Sequence, residues 1–322
     1  MWQSIAPSSR KAYQAGFNSF TKFCGQYGIT CIPASSETIR FFCADLAEKV
    51  KFTTLKTYLA GIRFFHVQAG YHDPTDSPLV HYICRAIKRL HGNKARTRLP
   101  VTIDILRTLK HQLHVDMSTP VWDKRMLWSA FTIAFYGFLR SSEFVCSKSV
   151  PDVTTEATLL ISDVSVSHDS LQIHISESKT DPFRKGHTLT LTATHTSTCP
   201  VSAFKNYITL RTNAPRDTPV FIFQSGTYLT RSNLTAILRR LLANAGHDPT
   251  VYSSHSFRIG AATTAATVGT PAWLIQTLGR WSSDCYKVYI QCPKSTIFNA
   301  LRSMANSEPT HNTHVWDPDL HH

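Results

Sequence analysis

The sequence predicts a mainly α-helical protein with a small β-sheet, an α+β chain in which a helical N-terminal bundle precedes a larger mixed domain. Three observations predict it. Residues 1–91 carry their apolar side chains at helical spacing throughout. Strict alternation is confined to residues 158–192. Between the helical and mixed regions lies a polar, basic stretch, His91-Gly92-Asn93-Lys94-Ala95-Arg96-Thr97-Arg98, that has no apolar periodicity and ends before Pro100. At 322 residues the chain is long enough for two domains, each burying its own core.

The elements follow in order. Ser8 or Ser9 is placed to cap a helix on which Tyr13, Phe17, Phe20 and Phe23 recur at helical spacing. Ser36 opens a second, with Ile39, Phe42 and Leu46 on one side and Glu37 in the first turn, where an acidic group suits the helix dipole. Residues 53–69 give a third stripe through Leu55, Leu59, Ile62 and Phe65, and a fourth from Ser77 aligns Leu79, Ile83, Ile87 and Leu90. Short connections between such helices make a bundle. Beyond the linker, helices are predicted at 103–114 and 122–139, and strands at 158–166, 170–176 and 187–192. Further helices are predicted at 201–212, 231–245, 256–267, 272–278 and 284–290. The domain boundaries expected are 1–91 for the bundle, 92–99 for the linker, 100–306 for the mixed domain and 307–322 for a weakly ordered tail.

Charge narrows the function. Lys and Arg outnumber Asp and Glu by 34 to 21, a net charge of +13. Such a surplus favours a polyanionic partner, either nucleic acid or an acidic membrane face. The membrane reading loses ground because the N-terminus has no apolar secretory core and no run approaches a membrane-spanning length. On the third and fourth helices the polar side carries Lys51, Lys56, Arg63, Arg85, Lys88 and Arg89, and the linker adds Lys94 and Arg96. The eight cysteines are scattered and form no C-x-x-C pair. Cys43 and Cys84 lie in apolar helical patterns and read as buried thiols, which points to a reducing compartment. No metal site and no cofactor are expected, the terminal His321-His322 included.

Four separated features carry chemistry. In Phe135-Tyr136-Gly137-Phe138-Leu139-Arg140-Ser141-Ser142-Glu143 an arginine closes a strongly apolar helix, a costly position unless an anion meets it. Ser176-Glu177-Ser178-Lys179-Thr180-Asp181 leads to Arg184-Lys185-Gly186 between two strands. In His255-Ser256-Phe257-Arg258 the His and Arg share one face at a helix start, where the dipole and free N–H groups favour a phosphate oxygen. Last comes Leu278-Gly279-Arg280-Trp281-Ser282-Ser283, followed by Tyr286 and Tyr289-Ile290. Each is ordinary alone: an ion pair, a hairpin turn, a helix cap, a packing tyrosine.

In that order the features resemble the tyrosine recombinase, or phage integrase, family. The wording S-K-T-D-P-F-R-K-G, H-S-F-R and G-R-W-S-S-D-x-Y-x-x-Y-I looks like the recombinases of eukaryotic mobile elements, the DIRS-type retrotransposons and the Cryptons. The resemblance covers nearly the whole chain, the helical N-terminal part matching the family's core-binding domain. It implies a C-shaped clamp on duplex DNA and an enzyme that cleaves and rejoins strands through a 3′-phosphotyrosyl link. Tyr289 would be the nucleophile, conserving the bond energy without ATP. Arg140 and Arg258 would brace the non-bridging oxygens as charge builds on them, a task suited to a planar, permanently charged fork. Lys179 would protonate the leaving oxygen from a mobile hairpin. His255 would take the phenolic proton, because a free phenol with a pKa of about 10 is mostly un-ionised near neutrality. Trp281 would donate from its indole N–H, and Glu143 would orient the cluster. Arg184, Lys185 and Arg280 join the helical cations as expected DNA contacts.

Two departures from the family pattern stand out. Trp281 occupies the position commonly held by His. The gap from Trp281 to Tyr289 is also one residue shorter than the usual bacterial spacing, which leaves Tyr286 as an alternative nucleophile. Tyr289 is preferred because the aliphatic Ile290 follows it. A type IB topoisomerase shares the chemistry, and an inactive, element-derived DNA-binding protein is the non-enzymatic alternative. The expected partners are double-stranded DNA and further copies of the chain, in a homotetramer on paired sites with a dimer on each. No membrane and no small-molecule substrate are expected. Segment 293–304, with Ile297, Leu301 and Met304, would dock on a neighbouring copy or pack within its own chain. A eukaryotic source would place the protein in the nucleus.

Overall fold

Pro7 begins the first helix because proline's fixed φ and missing N–H suit the first helical position. This helix, α1 (Pro7–Tyr27), therefore starts ahead of Ser8 and Ser9, with Ala6 at the cap and no side-chain cap bond, contrary to the serine cap expected. It stops at Gly28, which takes a left-handed φ of 63° and returns its N–H to the carbonyls of Cys24 and Gly25. The computed structural model describes residues 2–92, 98–150, 159–176, 181, 185–291 and 294–305, and the chain divides into two compact units, Met1–Arg96 and Thr97–His322.

In the first unit α2 (Ser36–Leu46) is capped by Ser35, whose hydroxyl accepts the Thr38 N–H at 3.1 Å. Helix α3 (Phe52–Gln68) buries Leu55, Leu59 and Ile62, and α4 (Pro78–His91) closes the bundle. Helices α1 and α3 touch backbone to backbone. A Cβ on Gly61 would lie 2.6 Å from the Tyr13 carbonyl, so only glycine fits there. Helix α4 corrects the expected stripe: Val80 and Ile87 are buried and Ile83 and Cys84 half-buried, whereas Leu79 is 50% and Leu90 77% exposed. The helix is turned by about one position because Val80, Ile83, Cys84 and Ile87 supply an apolar row of equal length.

The second unit is built around α6 (Val121–Tyr136), which buries nine consecutive or near-consecutive side chains and so lies in the middle of the core. Helix α5 (Ile103–Val115) precedes it, capped by the Thr102 hydroxyl. A three-stranded antiparallel sheet follows in the order β1 (Val164–Val166), β2 (Ser170–Ile175), β3 (His187–Thr192), with Val164 opposite Ile173 and Ile173 opposite Leu189. Leu171, Ile173, Ile175, Leu189 and Leu191 form its buried face, the alternation that a half-buried strand requires. Strand β1 is shorter than expected because Ile161–Asp163 is a 3-10 turn, closed by the Leu160 N–H on the Asp163 carboxylate.

Helices α7 (Pro200–Ile208), α8 (Arg231–Asn244), α9 (Ser256–Thr267), α10 (Ala272–Gly279) and α11 (Lys294–Ala305) complete the unit. Segment 284–290, expected as a helix, is a 3-10 turn over Asp284–Tyr289. Helix α9 presses against the strand-like entry to the domain. A Cβ on Gly260 would fall 1.8 Å from the Val101 carbonyl, and Val101 N–H bonds the Ser256 carbonyl at 2.9 Å. Among the described residues no helix is long and apolar enough to cross a membrane. The expected tail, 307–322, lies outside them, as do linker residues 93–97.

Candidate active site

Four ends of elements meet at one cleft of about 1200 Å³. The chain leaving α6 supplies Arg140, the start of α9 supplies His255 and Arg258, and the end of α10 supplies Arg280 and Trp281. The 3-10 turn after it supplies Tyr286 and Tyr289. Arg140, His255, Trp281 and Tyr289 line the cleft, together with Lys148 and Arg231. The fold delivers these groups because α6 and α10 both end abruptly. Phe138, just past Gly137, and Arg280, just past Gly279, adopt left-handed φ values of 49° and 56°. Such angles are uncommon outside glycine and turn the chain sharply.

Glu143 is the electrostatic hub. It is almost fully buried, and its Oε1 accepts from Arg140 Nη1 at 2.9 Å while Oε2 accepts from the Arg140 N–H at 2.9 Å and from Arg280 Nη2 at 2.8 Å. Arg280 also donates to the Gly137 carbonyl at 3.1 Å. Its side chain is only 10% exposed. This corrects the expectation that Arg280 contacts DNA: it points inward and ties the α10 terminus to the α6 terminus.

Arg258 is fully buried and donates to the carbonyls of Phe138 and, at 2.6 Å, Gly279. Its guanidinium carbon lies 4.2 Å from the Trp281 ring centroid and 5.7 Å from that of Tyr289. Burial, with Arg140 next, pushes its pKa down to about 9, still charged at neutrality. The expected direct brace is thus a layer behind the cleft wall, its fork engaged by main-chain carbonyls. Among the described residues its Nε and the buried Trp281 Nε1 have no hydrogen-bond partner, an expensive condition in a protein interior.

The Tyr289 ring packs between Trp281, at 5.2 Å between centroids, and His255, at 5.1 Å. Thr263 grips the backbone that follows the tyrosine's Cα, donating to the Tyr289 carbonyl at 3.2 Å and accepting from the Gln291 N–H at 3.1 Å. Tyr286, by contrast, is 5% exposed, packs on Trp281 and does not line the cleft. His255 is pushed down to about 4, first by burial and then by Arg258, Arg140 and Arg231. An uncharged imidazole beside a phenol can accept a proton.

The remaining expected residues fall out as follows. Lys179 and Arg184 lie outside the described residues, as do Lys94 and Arg96; Lys185 is described and exposed. Lys51, Lys56, Arg63, Arg85, Lys88 and Arg89 are all exposed on the first unit. Arg63 is paired with Asp73 at 3.2 Å, and Arg85 lies over the Tyr82 ring at 5.9 Å. Lys148 and Arg231 escaped sequence reasoning. Arg231 opens α8 beside its Thr230 cap, and in a sequence such a residue looks like any solvated first-turn cation.

Residues 101–291, more than half the chain, match the phage integrase family. The chain therefore belongs to that family, the tyrosine recombinases, enzymes that cleave and rejoin DNA at specific sites. It is similar to an integrase/recombinase xerD homolog of Selenomonas ruminantium, 27% identical over 314 residues that cover 94% of this chain and 87% of the relative. Its fold resembles that of the XerH site-specific recombinase bound to a palindromic difH substrate in a post-cleavage complex. The TM-score is 0.63 at 18% identity, over 92% of this chain and 78% of that one. It also resembles a lambda integrase dimer bound to a COC′ core site, with TM-score 0.56 at 14% identity over 89% and 72% of the two chains.

Proposed function

We propose that Tyr289 is the nucleophile of this recombinase and that it forms a 3′-phosphotyrosyl link in the service of mobile-element integration or excision. One observation carries the choice of tyrosine: Tyr289 lines the cleft beside His255, whereas Tyr286 is buried behind Trp281. In the step proposed, the Tyr289 oxygen attacks phosphorus and its proton passes to His255. The bond from phosphorus to the 5′ oxygen breaks, and that oxygen leaves protonated, with Lys179 as the proposed acid. Arg140 meets a non-bridging oxygen from the cleft wall. Trp281 offers an indole N–H that has no partner among the described residues, and the buried charge of Arg258 acts from behind the two rings.

The finer likeness to recombinases of eukaryotic mobile elements rests on the SKTDPFRKG, HSFR and GRWSSD wording, and with it the nuclear location. A homotetramer on paired duplexes follows from the need for two cleavages at each of two sites. The exposed cations of the first unit and Lys185 would track the backbone. The test is covalent capture on nicked suicide duplexes drawn from a randomised pool, with the modified peptide mapped by mass spectrometry. An adduct on Tyr289 is expected. An adduct on Tyr286, or one that persists in Tyr289→Phe, overturns the assignment.

A further inference from the structure

We propose that Arg280 is a positioning residue of the recombination site, acting through Glu143 to aim Arg140 at the scissile phosphate. Three observations converge. First, Arg280 is held at φ 56°, a conformation for which an L-residue other than glycine is a poor choice, so something other than backbone preference keeps a long side chain there. Second, that side chain is nearly buried and ends on two groups of the α6 terminus, the Glu143 carboxylate and the Gly137 carbonyl. Third, Arg140 holds the same carboxylate through its own Nη1 and N–H, so both arginines are fixed to one anion.

The geometry assigns a division of labour. Glu143 alone could swing with Arg140, because both lie in one short 3-10 turn, Ser141–Glu143, and its neighbouring cap residue. Arg280 comes from a segment 137 positions away in sequence and locks the carboxylate from the other side. The same residue begins the turn that places Trp281 over Arg258. Tension between Glu143 and Arg280 therefore sets two cleft walls at once. Arg280 itself is not among the residues lining the cleft, so it acts through others and not on DNA.

The proposal rests on the Proposed function reading for what Arg140 does, and the experiment separates the two. A suicide duplex captured by the unaltered chain from a randomised pool is the probe, and single-turnover adduct formation and equilibrium DNA binding are the readouts. Arg280→Gly relieves the left-handed backbone while deleting the brace. It is expected to bind DNA as the unaltered chain does but to cleave about 10²-fold more slowly, the scale of a misaligned catalytic group. Arg280→Lys, which keeps the charge but not the two-armed fork, is expected to regain part of the rate. On the same duplex with a methyl replacing one non-bridging oxygen of the scissile phosphate, the Arg280→Gly deficit should shrink, because an uncharged linkage gives Arg140 nothing to meet. Cleavage by Arg280→Gly at the unaltered rate overturns the proposal. So does a deficit equal on both linkages, or a loss of binding in step with cleavage, since either marks a merely structural residue. An adduct that maps to a tyrosine other than Tyr289 counts against the nucleophile alone and leaves these rates readable.

Discussion

Arg258 and Trp281 are stacked, cation on ring face, at 4.2 Å, with the arginine fully buried and the indole almost so. The contact sits behind Tyr289, whose ring lies tilted against Trp281 at 5.2 Å between centroids. A desolvated cation–π pair of this kind contributes about 2 kcal/mol. It also gives the two residues distinct consequences when changed.

Trp281→Phe should keep most of the packing and lose the N–H. Its unfolding free energy is expected to fall by under about 2 kcal/mol, while the cleavage rate drops about 10²-fold, as for loss of one charge-stabilising donor. Trp281→Ala should add a cavity cost of about 3–5 kcal/mol. Chemical denaturation alongside single-turnover cleavage separates the two effects.

Arg258→Met should damage the fold as well as the reaction. The Phe138 and Gly279 carbonyls would each lose a charged donor, at about 1–3 kcal/mol apiece. A shift of that size in the denaturation midpoint, with an unaltered slope, is the expected result.

The pH dependence of His255 has a definite sign. Its folded pKa, about 4, lies below the ordinary value of about 6.5. The unfolded chain therefore binds more protons between those values. Stability from this group is fully present above about 6.5 and is lost as pH falls towards 4. The His255→Asn variant should lack that slope in denaturation curves collected across the window. Cleavage by the unaltered chain should show no acid inflection near 6.5.

Asp116 supplies a control remote from the cleft. Its carboxylate accepts from the Ser118 hydroxyl and N–H, the Thr119 hydroxyl and Arg240, and these bonds, the Ser118 hydroxyl first, hold its pKa well below the usual carboxylate range. The stability it provides is present above about 4 and is lost as pH falls further. Asp116→Asn should cost about 1–3 kcal/mol at neutral pH and leave the cleavage rate of the folded protein unchanged.

On the first unit, replacing Lys56, Lys88 or Arg89 by Ala should weaken DNA binding without regard to sequence. Each replacement should reduce the slope of log affinity against log salt by about 1. Filter binding over a salt series measures it.

Much of this was legible in the chain. The α3 stripe and the β2 and β3 alternation follow from spacing, and the cleft residues Arg140, His255, Trp281 and Tyr289 follow from the resemblance that their motifs carry. Helix α4 was misfaced because it is apolar on more than one side, and periodicity cannot choose between equal rows. Arg280 was misread because its direction depends on a left-handed turn and on a carboxylate distant in sequence. Arg258 was placed on the right helix face but one layer too shallow, since burial depth depends on what packs above it. Apart from the Ile290 that follows Tyr289, nothing local separates that tyrosine from Tyr286; their burial does.

The Thr263 hydroxyl, bonded to the Tyr289 carbonyl and to the Gln291 N–H, anchors that tyrosine to helix α9 of its own polypeptide. With Tyr289 as the proposed nucleophile, the attacking group and the residues proposed to prepare the phosphate would then come from one copy. Two crippled copies, one carrying Tyr289→Phe and the other Arg140→Ala, would then be expected not to lend each other the missing part, and a mixture of the two should form no adduct on the suicide duplex.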